Sequence, residues 1–340
     1  MDQKKLSAAA NYIVEFYLDE EQKEKVRRMS RFNRWIYTSW WVFKGMIDKL
    51  SHARRVMVII GTVLLFFEIR FLHFRSNFNF LGYLLLILVL MLELKDKLLA
   101  KDELREGRAV QLALLPESSP AVPGWDLWLC SRPANDVGGD LLDFISIEEN
   151  CWGITLGDVS GKGLPAALLM AQLQSTLRAV LPFSTGNSDL LAKINDIFNR
   201  YGLKKSFISL VFLSLRSDSA QISLVNAGHP APLLLRRTGI EDLERGGPAI
   251  GLNSELQIPE QQVELAAGES LLVYSDGLTE ARNDEGRFFG IERLRSLLEN
   301  TGGLPAAELG RKLLQAVEEF IQAAPPHDDL SLLIARRTGD

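Results

Sequence analysis

The chain has 340 residues, 47% of them hydrophobic and 24% charged, with 26 Gly, 13 Pro and 2 Cys. This composition excludes a disordered chain, a collagen-like repeat and a disulfide-stapled mini-domain, and the length predicts about two domains with a core large enough to stand without staples. The net charge of −5 hides 12 basic against 7 acidic residues over 1–55, 7 against 6 over 56–108, and 19 against 30 over 109–340, so a basic head, an apolar neck and an acidic body are expected.

The head, residues 1–55, mixes Lys and Arg with Tyr12, Phe16, Tyr17, Trp35, Tyr37, Trp40, Trp41 and Phe43. It reads as helical, either as an amphipathic helix at a lipid interface or as a plain cytoplasmic helix. No signal peptide fits it. Two apolar runs follow. Val56–Phe67 is uncharged but shorter than the roughly 20 residues that span hydrocarbon, and reaches that length only if extended to Phe74 across Glu68, Arg70 and His73. Ser76–Leu92 is uncharged and dense in Leu. Together residues 56–92 predict a two-helix transmembrane hairpin with membrane lipid around it. Basic residues crowd both flanks while only Arg70 and Arg75 lie between the runs, which places both termini and the body on the cytoplasmic side of an inner membrane.

Residues 93–115 are rich in Leu, Ala, Glu, Lys and Arg and stop at Pro116, as a linker helix would. Heptad steps from Leu94 meet Lys97, Lys101 and Arg108, so a homodimer through this helix stays open without a seam to argue for it. From Trp125 the periodicity changes. Short β-rich runs bracket two helical blocks, the first opening at Pro165 and resuming at a cap of Asn187 or Ser188, the second covering GIERLRSLLENTG and PAAELGRKLLQAVEEFIQAA. That order predicts an α+β domain over 116–340, with helices on the outer faces of antiparallel sheets. Cys130 and Cys151 fall in strand-like runs and read as buried filler of a reduced chain.

The chemistry lies in where the acids fall. Asp140 follows Gly138-Gly139, Asp158 follows Gly157, Asp276 precedes Gly277, and Asp328-Asp329 opens the last strand. An Asp beside a Gly is ordinarily a turn. Four carboxylates at strand ends in one acidic domain, three of them beside glycine, suit a hard divalent cation, because Mg²⁺ and Mn²⁺ take oxygen ligands and glycine lets the backbone come close. The segment GDVSGKG (157–163) has the wrong spacing for a phosphate-binding P-loop and no Ser or Thr after its Lys. No nucleic-acid partner is expected of the acidic body.

The segments RPANDVGGDLLDF (132–144), GDVSGKGLPAALLMAQLQSTLR (157–178), NAGHPAPLLL (226–235), YSDGLTEARN (274–283), FFGIERL (288–294) and HDDLSLL (327–333) resemble, in order, the bacterial PPM (protein phosphatase 2C) serine/threonine phosphatases of the SpoIIE/RsbU type. The resemblance implies an αββα sandwich and hydrolysis of phosphoserine or phosphothreonine by a water between two Mn²⁺ or Mg²⁺ ions. It implies Asp158 bridging both metals, the backbone carbonyl of Val159, Asp140 and Asp276 as further ligands, and either Asp328, which is favoured, or Asp329 as the last. The substrate it implies is a phosphorylated anti-anti-sigma (STAS-type) protein in a partner-switching pathway, with regulation passing through the linker helix. His229 and His327 are candidate proton donors, His229 having a structural reading as a turn residue, and Arg132 is a candidate phosphate contact. Leu141-Leu142 stand where the family commonly has aromatic residues. A catalytically inert phosphoprotein-binding scaffold is the alternative, which the complete set of acids disfavours.

Overall fold

The computed structural model describes residues 18, 20–27, 29–66, 68–71, 74–77, 79–116, 118–202, 206–299, 301 and 303–339. Two compact units divide the chain, Met1–Lys101 and Asp102–Asp340.

In the first unit α1 (Glu20–Arg27) and α2 (Arg31–Lys49) precede α3 (His52–Phe66), an antiparallel pair β1 (Glu68–Phe71) and β2 (Phe74–Asn77), and α4 (Asn79–Leu114). Tyr12, Phe16 and Tyr17 of the predicted aromatic head lie outside the described residues, whereas Trp35, Tyr37, Trp40 and Phe43 are exposed on α2. The neck is a helical hairpin, drawn tight where a Cβ on Gly82 would lie 2.7 Å from the Gly61 carbonyl oxygen. Arg54 ties its base to Glu93 (2.7 Å) and Asp96 (2.5 Å).

The hairpin forms, but the expected membrane crossing is overturned: among the described residues no helix is long and apolar enough to cross a membrane. The cause is where the helices break. At 1.5 Å per residue, α3 with its 15 residues is about 22 Å long, against a hydrocarbon core of ~30 Å. Its extension to Phe74 is instead the β1–β2 pair. In α4 the apolar stretch meets Glu93 after about 21 Å, and the helix then runs on for 36 residues in all, so the second run and the linker are one element. The multi-pass inner-membrane placement therefore does not hold.

The second unit begins within α4. Its strands are β3 (Trp125–Arg132), β4 (Leu141–Glu148), β5 (Cys151–Val159), β6 (Ile208–Arg216), β7 (Gln221–Ala227), β8 (Leu233–Arg236), β9 (Gly239–Asp242), β10 (Gln261–Glu264), β11 (Ser270–Tyr274) and β12 (Leu330–Arg337). Its further helices are α5 (Leu164–Val180), α6 (Asn187–Tyr201), the single turn α7 (Asp276–Thr279), α8 (Ile291–Glu299) and α9 (Ala306–Ile321). Two antiparallel five-stranded sheets run in the orders β10-β7-β6-β5-β4 and β3-β12-β11-β8-β9. This is the predicted α+β sandwich. Apolar residues that alternate along the strands account for it: Leu156, Val211, Leu213 and Leu224 meet Leu127, Leu271, Val273 and Leu333 between the sheets. The other face of the first sheet buries Leu210 and Phe212 against Leu173 and Leu177 of α5 and Leu191 and Ile194 of α6. The other face of the second buries Leu272, Leu332 and Ile334 against Leu294, Leu309 and Leu313 of α8 and α9.

One predicted detail differs. Neither Asn187 nor Ser188 caps α6, whose N-cap is Gly186. The Asn187 amide turns inward to Ser214 and Ser223, and the Ser188 hydroxyl donates to the Ile258 carbonyl, because packing this helix on the sheet leaves polar strand atoms that need partners.

An ion pair with a buried carboxylate and a half-exposed guanidinium fixes the start of β4 against α5. Asp143 is fully buried and accepts from Arg178 Nε (3.0 Å) and a terminal guanidinium nitrogen (2.7 Å). Removing the half-exposed guanidinium leaves a buried carboxylate without its main partner. Arg178→Met is expected to lower stability by about 2 kcal/mol, read as a shifted midpoint of urea unfolding with an unchanged slope.

Candidate metal centre

Strand ends of the two sheets deliver the acids. Asp140 immediately precedes β4, Asp158 is next to last in β5, Asp276 opens α7 just beyond β11, and Asp328 and Asp329 lead into β12. Close backbone approach requires the glycines beside them. A Cβ on Gly277 would stand 2.0 Å from the Asp329 carbonyl oxygen, and one on Gly139 would project towards the Val159 carbonyl oxygen (3.1 Å) and Asp158 Oδ1 (3.6 Å). The bare Cα of Gly139 thus leaves a cradle walled by two of the oxygens that the resemblance assigns as ligands.

Asp328 and Asp329 separate in role. The Asp329 carboxylate accepts the Ala134 N–H at 2.7 Å and the Gly139 N–H at 2.6 Å and is buried. It is spent on holding the Gly-Gly-Asp segment in place. Asp328 is partly exposed, its Oδ2 lying 2.8 Å from Lys162 Nζ, and has a carboxylate free of structural duty to the 134–139 segment. Ser275 supports Asp329 from behind, donating to its carbonyl (3.1 Å) and accepting the Ser331 N–H (2.9 Å).

The electrostatics are those of crowded negative charge. Burial, and then the charges of Asp158 and Asp329, push the Asp140 carboxyl well above its ordinary range, with hydroxyls of Ser331 and Ser275 opposing. Asp140 Oδ2 is buried without a hydrogen-bond partner. Asp158 is raised to about 7 by burial first and then by Asp276, Asp328 and Asp329, while Lys162 pulls it down. Asp276 is raised by burial, Asp328 and Glu280. Among the described residues no three acids, histidines or cysteines are drawn together as a ready-made metal shell. The donor set nonetheless fits a hard divalent cation: all oxygen, with one buried carboxylate atom left over and a glycine cradle beside it.

A cavity of about 810 Å³ opens beside these acids, lined by Asp158, Ser209, His229, Tyr274, Asp276 and Thr279 among others. His229 is buried, with Nδ1 2.9 Å from the Ser209 hydroxyl, and Ser209 faces Asp158 across the β5–β6 ladder. Burial holds its pKa at about 3, so at neutral pH it is an uncharged imidazole that orients Ser209 rather than an acid. Its backbone is locked by Asn226, which donates to the His229 carbonyl (3.0 Å) and accepts its N–H (2.8 Å). His327 and Arg132 lie elsewhere, on a smaller pocket of about 220 Å³ shared with Asp328. Arg132 is engaged by Glu318 of α9, and His327 is exposed and offers its carbonyl to Lys162 at 2.8 Å. Lys162, Ser275 and Gln111 are the residues that motif reading passes over.

The linker end of α4 reaches the same loop. Gln111 is buried, donating to the Gly138 carbonyl (2.6 Å) and accepting the Gly138 N–H (3.1 Å), and Arg108 donates to the carbonyls of Asn135 and Asp136 (3.3 Å each).

Two layers of helix around two antiparallel sheets, with acids gathered at the strand ends, define a PP2C-type phosphatase domain. The SiaA-PP2C domain of Pseudomonas aeruginosa shares the fold, with a TM-score of 0.62 at 18% identity, covering 71% of this chain and 98% of that one. The RsbU and RsbW domains of a Mycobacterium tuberculosis protein align with a TM-score of 0.55 at 25% identity over 66% of this chain and 62% of theirs. In sequence, residues 148–338 match the family model described as Stage II sporulation protein E (SpoIIE), and the chain belongs to that family. It is 26% identical over 239 residues to phosphoserine phosphatase RsbU of Bacillus subtilis, covering 70% of each. It is 28% identical over 264 residues to protein IcfG of Synechocystis, covering 69% of this chain but 41% of that longer protein.

Raised carboxyl pKa values carry a sign for stability. Asp140, Asp158 and Asp276 hold protons more tightly folded than unfolded, so the metal-free fold loses stability as pH rises from the unfolded carboxylate value near 3.8 through about 7. Metal-free protein in chelator is expected to melt at a lower temperature at pH 7.5 than at pH 5. Millimolar Mn²⁺ is expected to restore most of that loss at pH 7.5, as followed by differential scanning calorimetry.

Proposed function

We propose that this chain is a metal-dependent protein serine/threonine phosphatase that removes phosphate from phosphoserine or phosphothreonine. Its proposed substrate is an anti-anti-sigma (STAS-type) protein in a partner-switching pathway. The observation that carries the reading is the set of four carboxylates at one end of the sandwich, of which buried Asp140 keeps an unpartnered oxygen. Membership of the SpoIIE family and similarity to phosphoserine phosphatase RsbU support the reaction and the substrate class.

Asp140, Asp158, the Val159 carbonyl, Asp276 and Asp328 would hold two Mn²⁺ or Mg²⁺ ions. Such ions, when bound, supply a water of lowered pKa and neutralise charge on a phosphoryl group. The chain's own residues do the rest. Asp329 and Gln111 hold the Gly138-Gly139 backbone from opposite partners. Neutral His229 holds Ser209 beside Asp158, and the adjoining cavity is where the phosphorylated side chain would sit. Asp158→Asn is expected to abolish Mn²⁺-dependent phosphate release from a phosphopeptide, and full turnover by that variant would overturn the metal assignment.

The contact of Gln111 with Gly138 supports regulation through the linker helix. A residue that orients a ligand segment from behind typically tunes metal affinity 10–100-fold. Gln111→Ala is accordingly expected to raise the Mn²⁺ concentration for half-maximal activity by about tenfold, with turnover at saturating Mn²⁺ largely kept.

A further inference from the structure

Lys162 has no part in the reading above, yet its ammonium touches one of the candidate ligands, Asp328. Nζ lies 2.8 Å from Asp328 Oδ2 and 2.8 Å from the His327 carbonyl oxygen. Its charge also lowers the proton affinity of Asp158 and of Asp276. Among the described residues, no other ion pair is made by Asp140, Asp158, Asp276 or Asp328. The side chain rises from the loop between β5 and α5 and stays about half exposed. Gly161 and Gly163 flank it with φ of +112° and +71°, a backbone that favours glycine, and a Cβ on either would meet nothing within 4 Å. These glycines are therefore needed for the path of the loop and not for space. The loop presents one cation to the mouth of an acidic centre, with open space beside both flanking glycines.

We propose that Lys162 is a tethered counter-cation that competes with the metal ion for Asp328. In the metal-free chain its ammonium neutralises the Asp328 carboxylate. When a divalent cation takes that carboxylate, the ammonium moves off into solvent with its charge unchanged. The half-exposed stem and the two glycines give it somewhere to go. The effect is to weaken metal binding relative to a centre without the lysine while keeping the metal-free carboxylates from repelling unopposed. A lysine that merely stapled the His327–Asp328 segment to the β5–α5 loop would do the opposite, since its loss would loosen a ligand and weaken metal binding.

This inference rests on the metal reading of the centre, and Mn²⁺ titration of the full chain by isothermal calorimetry tests both separately. Lys162→Met is expected to bind Mn²⁺ three- to tenfold more tightly than the wild type, as an order-of-magnitude estimate for removing one charge beside a ligand. It is also expected to melt at a lower temperature in chelator. In an Asp328→Asn background the same substitution is expected to give a clearly smaller gain, because the carboxylate for which the two cations compete is gone and only the longer-range field on Asp158 and Asp276 remains. Unchanged or weaker Mn²⁺ binding by Lys162→Met, or an equal gain in the Asp328→Asn background, overturns the proposal. If the wild type binds no more Mn²⁺ than Asp158→Asn does, the metal reading itself falls, and this inference with it.

Discussion

Mutual repulsion of carboxylates brought to one end of a sandwich is the constraint around which this domain is arranged. Burial removes the water that would screen them, and each raises the proton affinity of the next. A fold that only sought stability would not place acids there, because a buried charge without a partner costs more than the packing around it returns. The surrounding structure reads as the means of holding that arrangement. Asp329 gives up both oxygens to backbone N–H groups so that Asp140 is presented. Ser275 braces the strand behind it, and the Asp143–Arg178 pair anchors the strand that Asp140 opens.

The division of labour between Asp328 and Asp329 shows what adjacency in sequence conceals. Two aspartates in a row differ by half a pleat, and at the entry to a central strand that difference sends one side chain inward to the backbone of another segment and leaves the other at the surface of the cleft. On chemistry alone either carboxylate suits a metal ion. What separates them is a partner 190 residues away, which no local pattern announces. His229 is similar: its motif suggests a proton carrier, and its burial against Ser209 makes it a neutral orienting group.

The architecture of the acidic body was legible because its signals are local and mutually consistent. Alternating strands and amphipathic α6 and α9 state their buried faces, and glycines beside aspartates mark the strand ends. Short β8, β9 and β10 carried too few residues for an alternation to show. In the neck, hydrophobicity announced helices correctly and length incorrectly. A run of Leu and Ile does not say where a helix stops or where its apolar stretch ends, and here the β1–β2 pair ends the first helix while Glu93 ends the apolar part of a second helix that continues to Leu114. Lys162 was passed over because its meaning depends on where its long side chain ends, and Gln111 because a helical Gln is ordinarily solvated.

The two hydrogen bonds from Ala134 and Gly139 to Asp329 join the first loop of the domain to its last strand, which itself lies between β3 and β11 in the sheet. A contact of such span forms late, because the loop it closes is nearly the whole domain. The acids cannot be assembled from the N-terminal side alone. During synthesis the segment carrying Asp140 emerges long before its clasp, so that segment stays unclasped until residues 327–337 have been made and inserted between β3 and β11.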